Sequence, residues 1–475
     1  MKRSEIGVIP VPKRINTTGK TVEINPCISC NTPEWKNLID VTQKAFEKIF
    51  NVALEDGNGG IRIVFDKNAD ENAYCIKVEN GIILSAGGIE GCGYGIASIL
   101  QLLKVEYNAF LFPEVEIYDC PEKEHRGFMI DLARWWHPKR TILAYLDLCF
   151  YYKIKYMHLH FVDYQSYTLP SKAFPKLPTK NRHYSFAEIE EIREYARNRN
   201  ITLIPEIEMP GHATPLNVEY PELFSDVTTD GFLQKFRSTA SIVCAGSEQC
   251  FASLKKLIDE VIELFPESPY IHLGGDEATI EVWEHCDVCQ QYMKAHNLHS
   301  VKELYSEFTA RITDYVLSKN RIPIVWEGFP REAAHLISKD VIVMAWECYY
   351  NQPEDLLADG FKIINCAWKP LYICPGTTDW TYQDILRWDV YNMQNFSKKS
   401  RATLNPVNLP ETQNVLGAQL CAWEACYEYE INYVANNMAA FSERMWSHQR
   451  ICDDAEFDKK LAGIKSRALK LIQEI

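Results

Sequence analysis

From about residue 126 to its C-terminus the chain repeats one unit, a short apolar run, a loop and an amphipathic helical stretch. The runs lie at 127–132, 156–162, 202–207, 270–273, 322–326, 341–345, 362–366 and 418–422. Each has the length of one buried strand and few polar residues, as expected where helices cover both faces of a parallel sheet. The stretches between them carry helix signals: Ser185 and Glu188 form a capping box before Phe186, Ile189, Ile192 and Tyr195 at helical spacing. The stretches 254–265 and 304–317 show the same periodicity. Eight such strands alternating with helices predict a TIM (β/α)8 barrel.

The first 120 residues read differently, with strands expected at 61–65 and 82–84 and a helix over 96–103. They predict a small α/β domain at 1–120 preceding a barrel domain at 121–475. Gly87, Gly88, Gly91, Gly93 and Gly95 are read as a strand-to-helix turn. Their spacing departs from G-x-G-x-x-G, and no acidic residue follows about 20 positions on, so no dinucleotide cofactor is expected.

Barrel active sites gather at the C-terminal ends of the strands. Arg134 follows the first predicted strand, Asp163 the second, His212 the third, and Asp276 with Glu277 the fourth. Trp326 and Trp346 end the fifth and sixth, Tyr372 lies beyond the seventh, and Trp423 with Glu424 follows the eighth. Any one of these aromatics could simply pack. Adjacent strand residues point to opposite faces, so Asp276 and Glu277 share a pocket only if the backbone leaves strand geometry, which Gly274 and Gly275 permit. Neighbouring carboxylates repel, which holds one protonated beside an ionised partner, the requirement for glycosidic cleavage. An acidic pair capping the next helix is the plain alternative, and at this point both stay open.

The formal net charge of -14 argues against nucleic acid or an anionic membrane surface as partner. No apolar run reaches the ~18 residues of a membrane span, and the start shows no export signal. The 16 cysteines, scattered through apolar runs, read as core thiols, and a cytoplasmic location is expected. His158 and His160 share a strand face, and Cys27/Cys30 and Cys286/Cys289 are C-x-x-C pairs far outside zinc-ribbon spacing. Core thiols and barrel histidines are the default and no catalytic metal is expected, while a structural metal at Cys286/Cys289, with His285 nearby, stays open.

The run His272-Leu273-Gly274-Gly275-Asp276-Glu277 matches the His-x-Gly-Gly-Asp-Glu signature of glycoside hydrolase family 20, the β-N-acetylhexosaminidases. Arg126-Gly127 with Asp131-Leu132-Ala133-Arg134 resembles that family's first barrel strand, 155–163 its second, and 205–212 its third. The segment 441–447 resembles the closing one, and Pro10-Val11-Pro12 with the Tyr94-Gly95 turn is similar to the domain preceding the barrel. The resemblance implies substrate-assisted hydrolysis of a terminal N-acetylated sugar, with the substrate's acetamido carbonyl as nucleophile. Glu277 would then be the general acid and base, and Asp276 would orient the acetamido group. His212 and Asp163 would orient Glu277, Arg134 would grip ring hydroxyls, Trp326, Trp346 and Trp423 would wall the acetamido pocket, and Tyr372 would bond the carbonyl.

Three positions depart from the family pattern. Cys374 stands where the Tyr-x-Asp carboxylate is usual, Glu424 follows Trp423 directly instead of two positions on, and Trp135-Trp136 replaces a His-aromatic pair. These leave the choice between glucosamine and galactosamine configuration open, with Asp379 or Glu428 as substitutes for the missing carboxylate. The partner implied is a β-N-acetylhexosaminide glycan, with a homodimer left open. Two other readings stand beside this one: a carbohydrate-binding protein without turnover, and an ordinary retaining glycosidase with its own nucleophile.

Overall fold

The computed structural model describes residues 6–107, 109–225, 241–424 and 427–473, the side chains of 427–430 excepted. Eight parallel strands form a closed barrel: His125–Asp131, Tyr156–His160, Thr202–Glu206, Tyr270–His272, Ile322–Trp326, Ile342–Ala345, Lys362–Asn365 and Val415–Ala422. Each pairs with the next, and the last closes on the first through the register Ala418↔Arg126 to Ala422↔Ile130. The eight expected strands are all present, so the TIM barrel read from the repeat is the fold.

Helices follow the strands as the repeat predicts. Phe186–Arg197 starts at the Ser185–Glu188 capping box. Glu248–Leu264 begins six residues before the expected stretch, because Ser247 caps it by accepting the Cys250 N–H. The barrel interior is apolar toward its lower end, with Met129, Ile204, Ile324, Ile342, Met344 and Ile364 packed together. That cluster continues upward into Trp326, Trp346, Tyr372 and Trp380, so the aromatic floor of the site is part of the barrel core.

The N-terminal sheet runs in the order Arg14–Glu23, Ala109–Asp119, Tyr74–Val78, Ile82–Ala86, Ile61–Phe65, Cys27–Cys30, Glu55–Asp56. Two of its helices are Lys36–Phe50 and Ile89–Leu102. The glycine cluster is not a turn as expected: Gly88 caps the second helix, and Gly91, Gly93 and Gly95 are buried inside it. Close packing explains two of them, since a Cβ on Gly91 would lie 2.2 Å from the Ala73 carbonyl and one on Gly95 2.2 Å from Leu84. A buried polar contact fastens this domain to the barrel. Lys153 Nζ lies 3.8 Å from Asp119 and donates to Tyr74 Oη at 2.9 Å, and burial pushes the amine down to about 8. No helix among the described residues is long and apolar enough to cross a membrane.

Candidate active site

The fourth strand stops at His272, and the chain then turns through Gly274 (φ 67°) and Gly275 (φ 98°). Both glycines are required: a Cβ on Gly274 would sit 1.7 Å from Glu208 Oε2, and φ near 98° at Gly275 is closed to ordinary side chains. The Tyr305 hydroxyl donates to the Gly275 carbonyl and pins the turn from outside. Glu277 itself is left-handed (φ 42°), as are His212 (48°) and Glu424 (55°). Asp276 is therefore nearly buried at 9% exposure, while the Glu277 side chain stands 54% exposed above it. The sequence condition for two adjacent carboxylates to serve one pocket is met.

A continuous polar chain leads from the barrel interior to Glu277. At its base the fully buried Glu206 accepts the Trp326 indole N–H at 2.6 Å and is bonded by His160 Nδ1. His158 Nε2 and His272 Nδ1 lie 3.0 and 2.9 Å from it. His160 Nε2 reaches Asp163 Oδ2 at 3.0 Å, and Asp163 Oδ1 meets His212 Nδ1 at 3.0 Å. His212 Nε2 then lies 3.7 Å from Glu277 Oε2 and 4.0 Å from Asp276 Oδ2. Arg134 joins from the first strand end, bonding Asp163 Oδ2 at 2.6 Å, with Asp131 and Glu424 each 3.6 Å away.

The charges alternate along this chain. Burial opposes charge on both histidines, but Glu206 and Asp163 hold His160 up to about 10, and Asp163 and Asp276 hold His212 up to about 8. Burial works against the Asp163 anion too, yet His212 and Arg134 outweigh it and keep its carboxyl well below the usual range. His158, by contrast, is pushed down to about 4 by burial despite Glu206. Glu277 is raised by desolvation and by Asp276, with His212 and Arg134 opposing. A raised proton affinity suits a carboxyl that acts as a general acid.

Aromatic faces enclose the space beside the pair. Trp346 and Tyr372 lie almost parallel, 5° apart with centroids 6.4 Å apart, and Tyr372 and Trp423 are 5.9 Å apart. Trp326 lies deeper, fully buried, with its indole under Trp423 at 6.1 Å. The Arg134 guanidinium covers the Trp423 ring at 4.8 Å. Asp276 Oδ1 and Trp423 Nε1 are among the polar atoms here that are buried without a hydrogen-bond partner among the described residues, as is His212 Nε2. All ten residues singled out from the sequence are thus brought to one end of the barrel. Cys374 lies half-buried near Arg134 and Glu424, whose charges act on its thiol. Asp379 is exposed, and the Glu428 side chain lies outside the described residues.

Several residues that serve this site went unassigned. Glu206 and Glu208 stand in the third-strand motif, yet only the folded barrel shows that Glu206 gathers three histidines. Glu208 is buried behind Gly274, and desolvation with Asp276 and Glu206 raises its carboxyl well above the ordinary range. Glu327 accepts backbone N–H bonds from Trp346, Cys348, Tyr349, Tyr350 and Asn351 at 2.8 to 3.3 Å, which shapes the loop after the sixth strand. That loop carries Glu347, pushed up to about 7 by burial against a bond to Ser397, with Glu327 and Glu277 adding to the rise. A Trp-Glu pair one residue past a strand was the available signal.

His158, Glu206 and His272 come close enough to hold a metal ion, as do His160, Glu206 and Glu208, and His212, Asp276 and Glu277. In the first two groups the Glu206 oxygens already meet the histidines and the Trp326 N–H at hydrogen-bond distances.

The sequence model described as "Glycosyl hydrolase family 20, catalytic domain" matches residues 124–449, and that described as "Glycosyl hydrolase family 20, domain 2" matches 5–120. The β-hexosaminidase of Porphyromonas gingivalis is 27% identical over 377 residues, covering 72% of this chain and 47% of that protein. The chain thus spans about half the length of that relative. The rat β-hexosaminidase subunit beta is 28% identical over 418 residues, covering 85% of this chain and 74% of the relative. Among solved structures, the β-N-acetylhexosaminidase from Bacteroides fragilis superposes with a TM-score of 0.79 at 25% identity, covering 96% of this chain and 94% of that one. The exo-β-N-acetylglucosaminidase of Vibrio harveyi gives 0.82 at 21% identity, over 98% and 77%, a likeness of fold.

Proposed function

The chain belongs to glycosyl hydrolase family 20, and from that premise we propose that it is a retaining exo-β-N-acetylhexosaminidase, releasing terminal β-linked N-acetylglucosamine or N-acetylgalactosamine. The observation that carries the reading is Asp276 Oδ1, a buried acceptor without a donor among the described residues, beside the Glu277 carboxyl, whose proton affinity is raised by burial and by Asp276. An acetamido N–H supplies that donor, and its planar group suits a space lined by flat aromatic faces.

In this mechanism Glu277 gives its proton to the leaving oxygen as the substrate's carbonyl oxygen attacks the anomeric carbon, forming an oxazolinium ion. Asp276 accepts the acetamido N–H and balances the positive charge that develops. Glu277, now a carboxylate, takes a proton from water as the water's oxygen opens the ring. Two inversions leave the configuration retained, and Glu277 regains its proton. His212, carried by Asp163, holds positive charge beside the Glu277 carboxylate formed midway. Arg134 is tied to Asp163 through one nitrogen and offers its other N–H groups to ring hydroxyls.

A neutral glycan suits a chain of net charge -14, and the core placement of so many cysteines supports a cytoplasmic setting. Rates on matched aryl β-glycosides of N-acetylglucosamine, N-acetylgalactosamine and glucose test the mechanism. Without the acetamido nucleophile, kcat/KM on the glucoside is expected to fall about 10³-fold or more. Comparable rates on all three would overturn it and favour an enzyme nucleophile.

A further inference from the structure

Cys244, Cys286 and Cys289 meet beneath the loops that carry His212 and Glu277. All three are buried, and Cys244 Sγ lies 3.6 Å from Cys286 Sγ and 3.7 Å from Cys289 Sγ. These separations are far from the ~2.05 Å of a disulfide. They match the roughly 3.8 Å between thiolates held at ~2.3 Å from one tetrahedral zinc ion. The three sulfurs all lie within 4.8 Å of one another.

The backbone around them is arranged for the same purpose. Cys286 caps the helix Asp287–Ala295, and its sulfur accepts the Cys289 N–H at 3.4 Å, which fixes the two cysteines on one turn. Gly246 lets the strand-three loop come against the Cys286–Cys289 turn: a Cβ there would lie 2.7 Å from Cys289 Cα and 2.8 Å from the Val288 carbonyl. Both loops lead directly to catalytic positions. The Ala213 N–H donates to the Ser241 carbonyl at 3.1 Å and the Val243 N–H to the Pro210 carbonyl at 3.0 Å, so the Cys244 segment runs beside His212. Cys286 follows Glu277 through the short helix Ile280–His285, whose Trp283 indole donates to the Val243 carbonyl at 2.9 Å.

We propose that Cys244, Cys286 and Cys289 bind one zinc ion that fastens the loop after the third barrel strand to the loop after the fourth. Thiolates select a soft d10 cation, and zinc brings no redox chemistry to a buried site. No fourth cysteine, histidine or carboxylate among the described residues joins the three, so the fourth position falls to water or another small donor. The ion takes no part in bond cleavage: it fixes the relative position of His212 and Glu277. The C-x-x-C spacing alone could not reveal the site, because its third ligand lies 42 residues upstream of Cys286.

The test uses the full chain purified without chelators, metal-affinity steps or oxidation, and incubated with Zn2+ before desalting. Elemental analysis should find about one zinc per chain, released to a chromogenic chelator when a mercurial caps the thiols. Cys244→Ser and Cys289→Ser should each hold less than about a tenth of that, while Cys27→Ser, in the N-terminal domain, retains it. If the serine variants do not fold, the wild-type chain loaded with Co2+ decides, since thiolate ligation gives a sulfur-to-cobalt charge-transfer band. Wild-type chain that takes up neither zinc nor cobalt, a disulfide between any two of the three, or zinc persisting in Cys289→Ser would each overturn the proposal.

Discussion

His212 presents Nε2 3.7 Å from the Glu277 carboxylate while its Nδ1 is held 3.0 Å from Asp163. The imidazole is thus charged by the residue behind it and lends that charge to the residue in front. Glu277 feels two opposed influences, burial with Asp276 raising its proton affinity, and His212 with Arg134 lowering it. A group that must donate a proton in one step and accept one in the next needs such a balance.

Glu277→Gln removes proton transfer and leaves the pocket intact. The kcat/KM for a glycoside with a poor leaving group should fall by about 10² to 10⁴, and much less for a nitrophenyl glycoside, whose leaving group needs no proton. Asp276→Asn should depress both substrates alike, by about 10² to 10³, because it serves the nucleophile. Parallel small losses in the two variants would contradict the division of roles.

Replacing His212 by Asn takes a cation from beside Glu277, so the Glu277 carboxyl holds its proton to higher pH. The alkaline limb of the kcat/KM profile should move up by about half a unit to one unit as kcat drops. A limb that stays in place would mean that Glu277 does not control it.

The same histidine ties stability to pH. Its affinity for protons is raised on folding from 6.5 to about 8, so its contribution is fully present below about pH 6.5 and lost as pH rises through about 8. At ~1.4 kcal/mol per pKa unit this amounts to about 2 kcal/mol. Thermal melts at pH 6 and pH 9 should show a larger fall in Tm for wild type than for His212→Asn.

Glu206→Gln would leave His160 without its principal anion and the Trp326 N–H with a weaker acceptor. Truncating one partner of a buried charge pair costs about 3 to 5 kcal/mol. The midpoint of urea unfolding should shift accordingly, and an unchanged midpoint would show that Glu206 holds little.

Cys374→Asp tests the rim. A carboxylate near Arg134 and Glu424 restores an acceptor for an outer hydroxyl, and the ratio of kcat/KM between N-acetylglucosaminide and N-acetylgalactosaminide should change by about 3- to 10-fold. An unchanged ratio would place hydroxyl recognition elsewhere.

The sequence by itself determined the barrel and the end of it that does chemistry. Eight apolar runs of strand length, spaced by amphipathic stretches, are a local pattern, and residues just past each run must gather where the strand ends gather. The Gly-Gly before Asp276 likewise announced a departure from strand geometry, because only glycine accepts the φ that Gly275 takes. Pattern misled where packing overrode propensity: Gly91 and Gly95 sit inside a helix because neighbours leave no room for a Cβ. What only the tertiary structure decided are the contacts between distant segments. Glu206 gathers His158, His160, His272 and Trp326 from three other strands, and Cys244 reaches Cys286 across 42 residues. Charge and ligation depend on distance in space, and a sequence gives distance only along the chain.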